Sequence, residues 1–165
     1  MCIVILNLIQ DPEFKSNTSG FRLEGRNDTT KYKTSMKTIF EKIIDREIPA
    51  DIIYEDDISI AFMDINPVRK GHILLIPKKP YPWMSDVPDE LLGKLFIKSK
   101  YFIQVLHKAF NCDYIHVIVE GIEVPHFHIH LIPSSLKEEN AHWHHESYAD
   151  NTEKQEYIDK IKSAL

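Results

Sequence analysis

The run His126-Phe127-His128-Ile129-His130-Leu131 constrains this chain more than any other feature. Strand side chains alternate between the two faces of a sheet, so histidines at i, i+2 and i+4 share one face. Phe127, Ile129 and Leu131 then share the other and are expected to enter a core. A strand over 125–132 with one apolar face needs partner strands and a layer to cover that face. The histidine face is left to line a cleft. Imidazole supplies a nucleophilic nitrogen, a proton donor and a charge that switches near neutral pH, a combination suited to a phosphate. Two other readings of the row stand beside this one: a solvated polar face, or a metal site. Same-face neighbours on a strand lie roughly 7 Å apart and the outer pair roughly 13 Å apart. One ion with bonds near 2 Å therefore needs ligands from another element, such as His72 or Asp64.

The rest of the chain supplies the partner strands. Ile39, Phe40, Ile43 and Ile44 mark one face of a short helix that Pro49 should stop. Residues 51–55 and 59–64 read as strands around the turn Glu55-Asp56-Asp57, and 72–77 as a third, buried strand. A long helix follows to about Phe110, with Ser85 or Asp86 as its cap and Pro88 in its first turn. Its stripe is Leu91, Leu92, Leu95, Phe102, Leu106 and Ala109, and Asn111-Cys112-Asp113 ends it. Residues 114–120 form a fourth strand, joined to the histidine strand by a short turn at Gly121. A last helix runs from about Thr152 to Ala164, packing through Tyr157, Ile158, Ile161 and Leu165. The expected fold is α+β: an antiparallel sheet of about five strands, a long helix on one face, and short N- and C-terminal helices. Residues 1–35 are rich in turn formers and lack a period of 2 or 3.6. They are expected to be a disordered extension or to precede the true start at Met36, with the domain at 36–165.

The 165 residues carry a net charge of −5, which argues against a nucleic-acid surface. Two cysteines, Cys2 and Cys112, make neither a C-x-x-C pair nor a disulfide framework, so a cytoplasmic setting is expected. Nothing approaches the roughly 20 apolar residues that span a bilayer, and no membrane partner is expected. The long helix also shows Phe96, Ile97, Tyr101 and Ile103 beside its main stripe, and a second covering surface, hence a homodimer, is expected.

The segment 121–133, Gly-Ile-Glu-Val-Pro-His-Phe-His-Ile-His-Leu-Ile-Pro, is similar to the signature strand of the histidine triad (HIT) family. Three more segments agree in order. Thr38-Ile39-Phe40-Glu41-Lys42-Ile43 resembles the family's opening helix, 61–67 its ribose-binding strand and loop, and 71–79 the strand that brings a further histidine to the phosphate. The resemblance covers about 36–133. It implies a nucleotide hydrolase or nucleotidyl transferase that cleaves at the α-phosphate of a nucleoside phosphoramidate or dinucleotide polyphosphate. His128 would attack phosphorus and form a nucleotidyl-histidine. Its other ring nitrogen would be held by the backbone carbonyl of His126. His126, His130 and His72 would stabilise phosphoryl charge. Asp64 would take the ribose hydroxyls. Phe62 and Ile65 would wall the base pocket, and Gly121 would let the backbone approach the ligand. No cofactor or metal is implied, and the partner is a small-molecule nucleotide.

The chain departs from the family at several positions. Thr38 and Glu41 stand where zinc-holding members carry Cys-x-x-Cys. Pro80 replaces a histidine common after the Lys-Lys pair, and Val119 or Glu120 replaces an Asn. Ile122 and Glu123 stand where many members place Gln and then Ser or Thr, so Glu123 bears on the choice of leaving group, by repulsion or as an acid. A non-catalytic nucleotide-binding or signalling protein is therefore a second reading, and a histidine-rich metal-binding module a third. His142-Trp143-His144-His145 is read as a solvated loop, or as a site completed across a dimer. His107 and His116 are read as structural.

Overall fold

The structure, a computed structural model, describes residues 37–121, 123–136 and 145–165. The expectations for residues 1–35, Met36, Ile122 and His142 to His144 lie outside the described residues.

Strands β1 (Ile52–Glu55), β2 (Ser59–Met63), β3 (Ile73–Pro77), β4 (Tyr114–Ile118) and β5 (Ile129–Ser134) form one sheet in the order β1-β2-β3-β5-β4, every pair antiparallel. Helices α1 (Ile39–Ile44), α2 (Asp89–Phe110) and α3 (Asn151–Ala164) complete it, with a single 3-10 turn at Met84–Asp86. The expected α+β architecture is present, including the long helix on one face.

Two apolar clusters separate the faces of the sheet. Ala61, Met63, Ile73, Leu75, Phe127, Ile129 and Leu131 pack with Leu95, Phe102 and Leu106 of α2 and with Ile158 and Ile161 of α3. On the opposite face Ile60, Phe62, Leu74 and Ile76 pack with Phe40 and Ile43 of α1. The alternation in β2 and β3 accounts for this sorting, because successive residues go to opposite clusters. Both faces of these central strands are covered, so every residue of each is buried. Leu74 pairs with His130 across β3 and β5, which sets the histidine row on the α1 face.

Several boundaries differ from the sequence reading, each for a local reason. Regular pairing begins at Ile129, so His126 and His128 lie on an irregular approach to β5. The backbone there is held by other partners, with the N–H of His126 donating to Val124 O and that of Phe127 to Tyr81 O. The connection from β4 to β5 accordingly spans 119–128 and is not a short turn at Gly121. Helix α1 ends at Ile44, ahead of Pro49, because Arg46 turns to a φ of 63°. Neither Ser85 nor Asp86 caps α2. They belong to the 3-10 turn, Pro88 stands at the cap position, and Asp89 and Glu90 place acidic charge in the first turn, where the helix dipole favours it. At its far end Asn111 takes the left-handed conformation, a role its short polar side chain suits. Leu165 is exposed and does not join the core.

Candidate active site

The site is built where α1, the end of β2, the start of β3 and the approach to β5 meet. Gly71 fixes the entry to β3. Its φ is 89°, and a Cβ there would lie 2.5 Å from Cε2 of Phe110, so the turn that delivers His72 to the sheet requires glycine.

Each of the four histidines has at least one ring nitrogen with an assignable partner, and these partners assign the tautomers. Nδ1 of His128 lies 2.7 Å from the backbone oxygen of His126 and donates to it. Nε2 of His128 is then the unprotonated nitrogen. The ring of His128 is largely buried and stands edge-on to Phe40, with centroids 5.1 Å apart. Burial pulls its pKa below the ordinary histidine value, opposed by the His126 carbonyl, because a charged ring loses more solvation than a neutral one. A neutral imidazole with a free Nε2 is the form a nucleophile needs.

His126 is wholly buried. Its Nε2 donates to the Pro77 carbonyl at 2.8 Å, and Nδ1 sits 3.4 Å from the Thr38 hydroxyl. Both nitrogens are engaged by the protein in this arrangement. Its backbone carbonyl is the acceptor for Nδ1 of His128. Thr38 reaches it from the N-cap of α1. The Glu41 N–H donates to Thr38 Oγ1 at 3.1 Å, and the Thr38 N–H donates to Glu41 Oε2 at 2.8 Å, a capping box. Thr38 thus ties the start of the helix to the first histidine, and Glu41 holds Thr38 in place.

His72 and His130 form a second chain. The Val68 N–H donates to Nδ1 of His72 at 3.3 Å, so Nε2 of His72 carries the proton and donates to Nδ1 of His130 at 3.0 Å. Nε2 of His130 is buried without a hydrogen-bond partner among the described residues, and the Glu120 backbone favours its protonated form. The His130 ring lies 4.8 Å from that of His128. Desolvation lowers the pKa of His72 to about 4, against the pull of Asp64 and with added repulsion from His130, His145 and His128. Burial likewise lowers His130 and His126. Nε2 of His72 thus faces the ring of His130.

Asp64 places Oδ2 3.4 Å from Nδ1 of His72 and accepts the Asn66 N–H on Oδ1 at 2.8 Å. Asp64, His72 and His130 bring donor atoms within 4.8 Å of one another, a carboxylate and two imidazoles of a kind that suits zinc-class ions. Ile65, next to Asp64, is wholly exposed. It lines a cleft of about 410 Å³ with Asn66, Pro67 and Tyr148. Phe62 is buried against Phe40, so core packing accounts for it. Gly121 has an ordinary φ, and a Cβ added to it would meet no atom nearer than 4.0 Å, so no neighbour in the protein requires glycine there. Glu123 is exposed. His107 bonds the Cys112 carbonyl at 2.9 Å, and His116 packs edge-on to Tyr114, both away from the site. Phe40 and Thr38 support the histidines in ways the sequence reading does not anticipate. The pattern Thr38-x-x-Glu41 is the signal that points to the second of them.

A sheet that sets a row of histidines on its α1 face, beside the loop from Asp64 to His72, has the layout of a histidine-triad protein. The model of the HIT domain family matches residues 45–136, and the chain belongs to that family. It is 30% identical over 166 residues to Adenylylsulfatase HINT3 of Arabidopsis thaliana, covering 96% of this chain and 81% of that protein. It is 38% identical over 104 residues to the purine nucleoside phosphoramidase of Escherichia coli (strain K12), covering 58% and 86%. The Hit-like protein involved in cell-cycle regulation from Bartonella henselae superposes with a TM-score of 0.68 at 33% identity, over 78% of this chain and 96% of that one. Among the described residues no helix is long and apolar enough to cross a membrane.

Proposed function

We propose that this protein hydrolyses, or transfers the nucleotidyl group of, a nucleoside phosphoramidate or related nucleoside phosphate through a covalent intermediate on His128. The observation that carries the reading is the 2.7 Å bond from Nδ1 of His128 to the His126 carbonyl, which leaves Nε2 unprotonated. In the first step Nε2 forms a bond to the α-phosphorus, and the bond to the leaving group breaks with its electron pair on that group, an amine taking a proton from solvent as it departs. In the second, water attacks the same phosphorus and gives a proton to solvent, the phosphorus–nitrogen bond breaks with its electron pair returning to Nε2, and a nucleoside monophosphate is released. Nε2–H of His130, oriented by His72, is the donor for phosphoryl charge. Asp64 accepts the ribose hydroxyls, and the exposed Ile65 supplies apolar surface for the base. The two relatives named as a phosphoramidase and an adenylylsulfatase support the class of substrate. Glu123 disfavours an anionic leaving group through its own charge, so a neutral amine leaves more readily than a polyphosphate. The test is a panel of adenosine phosphoramidate, adenylyl sulfate and a dinucleoside polyphosphate. Turnover fastest on the phosphoramidate supports the reading, and nucleotide binding without turnover of any member supports the signalling alternative.

The homodimer belongs to the same proposal. Phe96, Ile97 and Tyr101 are exposed on α2, Ile97 at 72%, with Val117 exposed on the edge strand β4. Apolar residues on an outer helix face, and a sheet edge unpaired among the described residues, suit a second copy.

A further inference from the structure

The segment 145–148, which leads into α3, lies beyond the residues matched by the HIT domain model and borders the cleft lined by Ile65. It fastens the loop that joins Asp64 to His72. Nδ1 of His145 lies 2.7 Å from the Asn66 carbonyl. The Glu146 N–H donates to the Pro67 carbonyl at 2.8 Å. The Glu146 carboxylate takes Nη1 of Arg69 at 3.0 Å on one oxygen and the Lys70 N–H at 3.1 Å on the other. The Tyr148 hydroxyl accepts the Gly71 N–H at 2.9 Å. The Tyr148 ring is anchored against Tyr157 of α3, with centroids 5.5 Å apart, and Lys70 Nζ pairs with Glu153 of the same helix.

Asn66, Pro67, Arg69, Lys70 and Gly71 are thus all held from one segment. The residue left over is Val68, whose N–H donates to Nδ1 of His72. The loop's own backbone bonds run from the Asp64 N–H to the His72 carbonyl and from the His72 N–H to the Arg69 carbonyl, each at 3.0 Å, and its remaining polar backbone would otherwise be solvated. With the segment in place, the Val68 N–H is presented to His72, and Nε2 of His72 is presented to His130.

We propose that Glu146 and Tyr148 are positioning residues of the active site, holding the 66–71 loop so that His72 orients His130 beside the nucleophile. The proposal rests on the reading of His128 as nucleophile for its effect on rate. Its structural half is independent of that reading.

The experiment compares the full chain with Tyr148→Phe, Glu146→Gln and the double variant by amide exchange, by NMR of the His72 and His130 rings, and by turnover of an adenosine phosphoramidate. Tyr148→Phe keeps the ring that packs on Tyr157, so the fold is expected to survive. Each variant should speed exchange at Gly71 or Lys70 about tenfold, as loss of one hydrogen bond implies. The ring signals of both histidines should shift or broaden, and kcat should fall about tenfold or more with little change in KM. A merely structural role would lower the melting temperature and leave kcat of the folded protein unchanged. Faster exchange with unchanged ring signals overturns the proposal, as does unchanged exchange at both amides. Faster exchange with altered ring signals but unchanged kcat in an active enzyme overturns it also. If the parent chain turns over no substrate, the function reading fails, while exchange and ring signals still decide whether the segment positions His72.

Discussion

Replacing His126 with alanine separates two roles that a row of histidines would otherwise blur. The side chain is fully buried, donates to the Pro77 carbonyl, receives the Thr38 hydroxyl and packs edge-on to Phe40 with centroids 5.8 Å apart. His126→Ala strands the Pro77 carbonyl, at about 1–3 kcal/mol. It also empties a ring-sized volume beside Phe40, at about 2–3 kcal/mol. The sum is about 3–6 kcal/mol, which at roughly 2–4 °C per kcal/mol lowers the melting temperature by about 6–24 °C. The carbonyl that orients His128 is backbone and survives the substitution. Below its unfolding temperature the variant should therefore keep more activity than His128→Ala. The assay is urea unfolding alongside turnover at about 15–20 °C, in the range of maximum stability. A variant as stable as its parent to within about 0.5 kcal/mol, yet as inactive as His128→Ala, would refute the scaffold role and return His126 to the phosphate.

Further outcomes follow from the same geometry. His72, His126, His128 and His130 all have folded pKa values below the ordinary value, so the unfolded chain binds more protons as the pH falls. The stability they confer is present above about pH 6.5 and is lost as the pH falls toward about 4. His72 alone contributes up to about 1.4 kcal/mol per pH unit, and urea midpoints measured across that window should fall steadily, whereas a flat profile would show the rings to be solvated. Ile97→Asp should shift a dimer toward the 19.3 kDa monomer in sedimentation, and a parent chain that is monomeric at micromolar concentration contradicts the proposed interface. A chain beginning at Met36 should match the full chain in melting temperature and activity, and a loss of several degrees would make residues 1–35 part of the fold.

The sheet was legible because alternation reports faces. Phe127, Ile129 and Leu131 enter one cluster, and His128 and His130 look the other way, although regular pairing starts only at Ile129. Periodicity registers where side chains point and carries nothing about which backbone holds the strand, here the Tyr81 carbonyl for Phe127. For the same reason the residue types of the site were legible and their roles less so. Whether a buried imidazole meets substrate or scaffold depends on carbonyls distant in sequence. Pro77 claims His126, and nothing local to either residue announces it. Ser99 shows the reverse case, a polar residue on the buried stripe of α2 that is satisfied within its own helix by the Leu95 carbonyl, as serine hydroxyls in helices commonly are. The contacts of Glu146 and Tyr148 join residues more than seventy positions apart, across a separation no short-range pattern spans.

Bond formation between Nε2 of His128 and phosphorus is the central step. Acid- and alkali-quenched reactions on an adenosine phosphoramidate, digested and analysed by mass spectrometry, measure it directly. A nucleotidyl adduct is predicted on the peptide carrying His128, stable to alkali and labile to acid, that disappears in His128→Ala together with turnover. Full activity in His128→Ala, or an adduct on another residue, would contradict it.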